Sequence, residues 1–146
     1  MARYFTLDEA NAALALVEPL LRQVVALKAS YSQAEGQLQG AAQRIALAGG
    51  ARVDPGQILQ ARGRRDAAAA RLKELIEEVQ GHGCLVKDLD LGLIDFPALY
   101  RGEEIYLCFR LGEERIGYWH GVDEGYRGRK EIDEDFLANH GRGRRR

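Results

Sequence analysis

The sequence predicts an α+β fold in which a long antiparallel helical hairpin packs on a small antiparallel meander of three or four strands. Apolar residues recur every three or four positions between residues 10 and 79, which is the spacing of helices. Beyond residue 83 the spacing becomes two, which is typical of strands. We therefore expect one domain, 1–146, made of the helical hairpin (1–81), the meander with a polar loop (82–130) and a partly disordered tail (131–146).

The first helix is predicted to begin at Thr6, because Thr6 and Glu9 form a capping box in which each side chain satisfies the other's backbone amide. Pro19 removes one backbone hydrogen bond inside the pattern, so we expect the helix either to kink near Pro19 or to split there. Lys28 and Glu35 interrupt the apolar seam and argue against a dry interface in its middle. The apolar members of the seam are Ala10, Leu14, Val17, Leu21, Val24, Tyr31, Leu38, Ala42 and Ile45.

A second helix is predicted after a short connection. Gly49 and Gly50 end the first helix, and Asp54 followed by Pro55 starts the next, since Asp caps well and Pro suits the first helical position. Two long helices joined by a short loop form an antiparallel hairpin. Their apolar seam is longer than one small sheet can cover, so we expect the helical region to pair with a second copy as a homodimer. The stripe of the second helix is Ile58, Ala61, Ala68, Ala69, Leu72, Leu75, Ile76 and Val79.

The meander is predicted from short segments with a strand pattern. One of them, Leu93 to Phe96, is expected to stop at Pro97, which cannot donate a hydrogen bond to a sheet. The clearest is Glu104 to Leu111, whose odd-numbered residues are apolar and face one side while the even-numbered residues face the other. The remaining segments are Cys84 to Lys87 and Arg115 to His120.

A family resemblance rests on blocks of this β region: Val86 to Pro97, Tyr106 to Glu113, and Tyr118 to His120 followed by Asp123, Gly125, Gly128 and Arg129. Together with Phe5 to Asn11 at the start, these blocks make the chain resemble a prokaryotic family catalogued only as domain of unknown function 2203. The resemblance covers nearly the whole chain apart from the arginine-rich end. It implies a small cytosolic protein of bacteria or archaea, and it assigns no activity and no catalytic residues.

The densest polar stretch, 118–129, follows a predicted strand and is therefore expected as a loop at the sheet end, where binding sites are common. His120 could act as a general base or as a metal ligand, with Asp123 or Glu124 nearby. His120 and Asp123 are the metal candidates, but a metal site needs about three or four ligands in one place. The sequence identifies no complete set and no cofactor. The alternative is a histidine that forms an ordinary hydrogen bond at a strand end.

Arg110 and Arg129 are candidates for an anion site at the same end, where Gly125 and Gly128 would let backbone amides approach a phosphate. No phosphate-binding loop and no dinucleotide-binding glycine motif is present in the sequence, so the pattern does not indicate a nucleotide. Asp95 lies between two apolar residues. We therefore expect it to be partly buried, either in a structural salt bridge with an arginine or as a carboxylate that orients the site.

Composition and motifs argue against several classes of protein. The formal net charge of −1 does not indicate a globally basic nucleic-acid-binding protein, although the arginine-rich end, 142–146, leaves nucleic-acid contact as a weaker alternative. No signal peptide and no membrane span are expected. Cys84 and Cys108 form no CxxC pair, and we expect them to be buried, reduced thiols of a cytoplasmic protein.

Two functions remain open from the sequence. We favour a small non-enzymatic protein that forms oligomers or binds a partner through its hairpin, because the sequence holds no recognised catalytic motif. The alternative is a small-molecule, anion or metal site at the sheet end, with or without catalysis. That site would consist of His120, Asp123, Arg110 and Arg129, with Asp95 as an orienting carboxylate.

Overall fold

A computed structural model describes residues 3–48 and 54–141 of the chain and confirms the predicted α+β architecture. Two long helices, α1 (Leu7–Ala48) and α2 (Pro55–Gln80), pack against each other. An antiparallel sheet follows, and it has five strands in sequence order rather than the three or four predicted. The strands are β1 (Leu85–Asp88), β2 (Leu93–Tyr100), β3 (Glu103–Arg110), β4 (Tyr118–Gly121) and β5 (Lys130–Glu131), with a 3-10 turn (Tyr126–Gly128) before β5 and a short helix, α3 (Glu134–Asn139), after it.

Both long helices begin with the predicted caps. The Thr6 amide donates to the Glu9 carboxylate at 2.9 Å, and the Glu9 amide donates to the Thr6 hydroxyl at 3.2 Å. The Asp54 carboxylate accepts from the amide of Gly56 at 2.9 Å, and Pro55 occupies the first helical position. These contacts satisfy amides that have no partner within their own helix.

α1 continues without interruption through Pro19, so the proline does not split the first helix. Pro19 is exposed, and water can therefore hydrate the carbonyl group that lacks a helical partner. The two helices run antiparallel, because Glu35 contacts Arg65 at 3.5 Å while Gln37 contacts Arg64. As residue numbers increase along α1, the numbers of the α2 residues that they contact therefore decrease.

The hairpin has two differently packed halves. Near the sheet, its apolar residues join the domain core, where Phe5 packs edge-on against Phe96 with ring centroids 5.1 Å apart. Farther along the hairpin the helices meet through small side chains, because the buried positions there are Ala34, Ala41, Ala61 and Ala68. The core residues of the first half are Ala10, Leu14, Val17, Leu21 and Val24 of α1 with Leu72, Leu75 and Val79 of α2.

β2 passes through Pro97, so the predicted end of this strand is wrong. Pro97 is in register with Tyr106 of β3, and its carbonyl accepts a hydrogen bond from the Phe5 amide at 2.8 Å. Because the amide and carbonyl of a strand residue point to the same side, the position of the missing amide faces Phe5 and not β3. On that side β1 pairs with β2 only as far as Asp95. A proline is tolerated at such an edge because no ladder hydrogen bond is lost.

The two faces of the sheet have different neighbours. The face that carries Ile94, Phe96 and Leu107 is buried against the helices. α3 packs on this same side, since its buried Phe136 stacks on Tyr100 with centroids 5.4 Å apart. We call the opposite side the open face, and its residues include Asp95, Tyr106, Cys108 and His120, which the strand register places together.

By length and composition alone, α1 could cross a membrane. The core helices of soluble proteins pass the same test, and the buried stripe of α1 packs into the core described above. Two predictions concern segments that lie outside the described residues: the glycine pair at 49 and 50, and the arginine-rich end, 142–146.

Candidate functional site

A cavity of about 230 Å³ lies on the open face of the sheet. Its floor comes from β1 to β4 and its rim from the loop that follows β4. None of the described α-helices contributes to its lining. The lining includes Lys87, Asp88, Leu93, Asp95, Tyr106, Cys108, His120, Val122, Glu124, Gly125 and Tyr126.

Asp95, Cys108 and His120 form a buried cluster at the floor of this cavity. Asp95 of β2 lies opposite Cys108 of β3, and His120 of β4 lies opposite Tyr106, two residues before Cys108. One oxygen, sulfur or nitrogen atom from each member lies within 4.8 Å of the other two. Three adjacent strands therefore hold three potential metal ligands on a rigid frame.

The hydrogen bonds of His120 define where its protons lie. Nδ1 is 2.9 Å from the carbonyl oxygen of Gly121, which can only accept, so Nδ1 carries a proton. Nε2 is 3.2 Å from Oδ1 of Asp95. Two acceptors do not attract each other without a proton between them. Asp95 and His120 therefore share a second proton, either as an ion pair or as a carboxylic acid beside a neutral imidazole.

Burial raises the pKa of Asp95, because the carboxylate loses hydration that the neutral acid needs less. The charge of His120 and its hydrogen bond act in the opposite direction. Among the described residues, the buried polar or charged side chains are those of Asp95 and His120, with 3% and 4% of their surfaces exposed. A buried carboxyl group with a shifted pKa in a cleft is characteristic of functional sites.

Burial also raises the pKa of the Cys108 thiol to about 11. Arg129 opposes this shift through its charge and through a contact of 3.9 Å from Nη1 to Sγ, but burial has the larger effect. The thiol is therefore protonated near neutral pH and is a poor nucleophile. Both Cys84 and Cys108 are buried and unpaired, as the sequence predicts.

The two predicted arginines lie beside the cavity and are already engaged. Arg129 forms an ion pair with Glu113 at 2.6 Å, and its guanidinium lies over the rings of Tyr118 and Tyr126, at 3.8 and 4.5 Å from their centroids. Arg110 donates a hydrogen bond to the Tyr126 hydroxyl at 3.0 Å. These contacts hold the loop after β4 against β3. Glu113 also neutralises Arg129, so an anion would have to compete with this carboxylate.

Asp123, the predicted partner of His120, is exposed and does not line the cavity. Its neighbour Glu124 does, and the Glu124 carboxylate accepts hydrogen bonds from a backbone amide and from Lys130, both at 2.7 Å. The carboxylate that contacts His120 is Asp95 instead. Of the two roles expected for Asp95, the salt bridge with an arginine is wrong, because its partner is His120; the role of an orienting carboxylate stays a prediction.

Cys108 is the cluster member that the sequence pattern did not identify. The alternation in β3 places Cys108 on the polar face with Tyr106 and Arg110, and that signal is visible in the sequence. The register that brings Asp95 opposite Cys108 depends on long-range strand pairing, which no local pattern reveals.

Comparison with known proteins bears on the family and not on the activity. No curated protein and no solved structure matches the chain. A family profile described as an uncharacterized conserved protein (DUF2203) matches residues 3–132. The match spans both long helices, all five strands and the whole buried cluster. The chain therefore belongs to the DUF2203 family, the one that the β-region blocks resemble.

Proposed function

We propose that the protein binds a small polar ligand in the cavity on the open face of its sheet. The observation that carries this proposal is the buried contact of 3.2 Å between Asp95 and His120 at the cavity floor. Burying a carboxyl group and an imidazole costs free energy that apolar residues of similar size would avoid. A site that contacts a ligand accounts for this cost better than a purely structural one.

The size and lining of the cavity favour one class of ligand. Its volume of about 230 Å³ is below the roughly 300–1,000 Å³ of pockets for drug-sized molecules. Its lining includes Lys87, Tyr106, Tyr126 and Glu124, which carry an ammonium group, two phenol groups and a carboxylate. This mixture favours a ligand that both donates and accepts hydrogen bonds, of the size of an amino acid or a small organic acid. We assign no reaction to the site, because Cys108 offers a thiol rather than a thiolate.

Nuclear magnetic resonance of the ¹⁵N-labelled full chain tests this proposal, with mixtures of amino acids, small organic acids and sugars as probes. Binders are expected to shift the amides of β2 to β4 around the cavity. Gly125 lines the cavity, and an added Cβ there meets no atom within 4 Å, so Gly125→Leu is expected to add bulk at the cavity with no clash at its Cβ and should abolish the shifts. Gly117→Leu is the matched control, because Gly117 has the same open surroundings but lies outside the lining. Shifts that survive Gly125→Leu, or that map only to the hairpin, contradict the proposal.

A second candidate function is self-association through the hairpin as a homodimer. It is supported by large apolar side chains exposed near the connection of the two helices, where Leu47 is 89% and Leu59 is 66% exposed. Size-exclusion chromatography with light scattering should give the mass of a dimer, and Leu59→Glu should shift it towards the monomer. Leu137→Glu is the control, because Leu137 is also exposed but lies in α3. A wild-type protein that stays monomeric at tens of micromolar would rule out this function.

Two further expectations stay proposals of this kind. We propose a cytoplasmic location and, more weakly, contact with nucleic acid through the arginine-rich end, 142–146. Deleting residues 142–146 should abolish any salt-sensitive binding to nucleic acid, whereas unchanged binding would refute a role for this end.

A further inference from the structure

We propose that Asp95, Cys108 and His120 bind one divalent transition-metal ion, with Zn²⁺ as the expected ion. This inference rests on the proposed function, since it names the feature that makes the cavity floor a binding site. A carboxylate oxygen, a thiolate sulfur and an imidazole nitrogen are all common ligands of zinc. A set that includes sulfur and nitrogen favours zinc over calcium or magnesium, which prefer oxygen alone.

The spacing of the cluster fits such an ion. Zinc lies about 2.0–2.2 Å from nitrogen and oxygen ligands and about 2.3 Å from sulfur, so the ligand atoms of a tetrahedral site lie about 3.3–3.8 Å apart. The Nε2 of His120 and the Oδ1 of Asp95 are 3.2 Å apart, and all three ligand atoms lie within 4.8 Å of one another. Binding of all three to one ion would need side-chain rotations that shorten the longest separation by at most about 1–1.5 Å.

The groups around the cluster suit metal ligation. The proton on Nδ1 of His120 is held by the Gly121 carbonyl at 2.9 Å, which orients the ring and leaves the lone pair of Nε2 facing the cluster. Metal-binding histidines usually have such an outer hydrogen bond. Arg129 lies 3.9 Å from the Cys108 sulfur and can donate to a thiolate. Its ion pair with Glu113 at 2.6 Å offsets part of its charge, which reduces the repulsion that a cation would meet.

Charge balance explains how the ion can be accommodated in a buried cluster. A divalent ion with one thiolate and one carboxylate has no net formal charge, which reduces the cost of burying it. As the ion binds, the proton of the Cys108 thiol and the proton shared by Asp95 and His120 leave to solvent. Two positive charges enter and two leave, so the net charge of the site does not change.

Three protein ligands leave one position of a tetrahedral ion free. Sites with three protein ligands keep the fourth position for water or for a bound molecule. The cluster forms part of the cavity lining, so this position faces the cavity and the residues on its walls, such as Lys87 and Tyr106. A small ligand in the cavity would then bind the metal directly through an oxygen or nitrogen atom.

Titration with Co²⁺ tests the proposal, because tetrahedral Co²⁺ replaces zinc and reports thiolate ligation in its absorption spectrum. The full-length protein is reduced, treated with a chelator and titrated with Co²⁺ under argon. The expected result is a thiolate-to-cobalt charge-transfer band in the near ultraviolet and intense visible bands of four-coordinate cobalt. Both should saturate at one ion per chain and disappear when Zn²⁺ is added. If the wild-type protein gives neither band, the proposal is refuted without any variant.

Variants then identify the ligands. Cys108→Ser should remove the charge-transfer band, while Cys84→Ser should keep it, since Cys84 is an equally buried thiol outside the cluster. His120→Ala should weaken Co²⁺ binding at least about tenfold, with circular dichroism to show that the variant folds. A band that persists in Cys108→Ser overturns the assignment. The magnetic-resonance screen separates the two proposals, because cavity binding without any cobalt band refutes the metal and leaves the proposed function in place.

Discussion

Removing His120 from the metal-free protein should expose the cost of burying Asp95 without its partner. The imidazole supplies the hydrogen bond and the charge that oppose the effect of burial on the Asp95 carboxyl group. In His120→Leu this carboxyl group stays buried without that partner, and breaking a buried pair in this way costs about 3–5 kcal/mol. The free energy of unfolding of a typical domain is about 5–15 kcal/mol, so the loss is a large share of the total stability. The double variant, Asp95→Leu with His120→Leu, removes both groups and should recover about 2–4 kcal/mol of that loss.

The difference in free energy of unfolding between the single and the double variant, called the gap below, should depend on pH with a definite sign. Burial raises the folded-state pKa of Asp95 above its unfolded value, so between these two pKa values the native state binds more protons than the unfolded state. Stability therefore falls as pH rises through this window. Without His120 the pKa of Asp95 rises further, and the window extends to higher pH. The gap should be smallest near about pH 4 and should widen by at most about 1.4 kcal/mol per pH unit.

Urea unfolding followed by tryptophan fluorescence measures this gap between about pH 4 and about pH 8 in the presence of a chelator. The two variants differ only at Asp95, so other titrating groups contribute equally to both. A gap that stays constant over this range would show that the Asp95 carboxyl group is not buried as described. A double variant that is less stable than His120→Leu at about pH 8 would refute the account in the same way.

Three further predictions concern the frame that holds the site. Gly92→Ala should lower the free energy of unfolding in urea by about 2–4 kcal/mol, because φ is +71° and the new Cβ would lie 2.8 Å from the Cβ of Leu111. Gly102→Ala is the control, because Gly102 has φ of +83° but open space around its Cβ position. A loss above about 2 kcal/mol in Gly102→Ala would contradict this reasoning. Leu75→Ala should cost about 2–5 kcal/mol by the same assay, since Leu75 is fully buried, and a loss below about 1 kcal/mol would argue against its place in the core. Burial raises the pKa of the Cys84 thiol to about 11, so this thiol should react with Ellman's reagent only as fast as the protein unfolds. The Cys108→Ser variant leaves Cys84 as the remaining cysteine, and rapid labelling of this native variant would disprove the burial of Cys84.

The helical half of the fold could be predicted because its signals are local. The capping box at Thr6 and the apolar series up to Val24 both depend on residues within a few positions of each other, and both are present in the structure. The series fails farther along, where Ala34 and Ala41 are buried instead of Glu35 and Ala42. Val24 is the last buried residue of α1 in the core cluster, and farther along the helix meets α2 through small side chains. The buried positions there follow the face towards α2 and not the seven-residue series.

The site could be predicted only in part, because its geometry depends on strand pairing. His120 and Asp95 were identified as candidates from their types and neighbours, and the structure brings them into contact. The sequence pattern does not identify Cys108, and it favours Asp123, which does not line the cavity. Asp123 is close to His120 in sequence, but it lies in the turn beyond β4, whereas Cys108 reaches the cluster from the neighbouring strand. Proximity along the chain is a weak guide within a sheet, since partners on adjacent strands are often far apart in sequence.

The hairpin and the cavity are separate surfaces, and this separation makes the two candidate functions independent. The described α-helices pack on one side of the sheet and contribute nothing to the cavity on the other. A dimer formed near Leu59 would therefore leave the cavity open, and a ligand in the cavity would not alter the hairpin seam directly. We expect Leu59→Glu to retain Co²⁺ binding and Cys108→Ser to retain the dimer. If either substitution abolished both properties in a folded protein, the two surfaces would have to be coupled through the core, and the hairpin would then act as a regulatory element of the site.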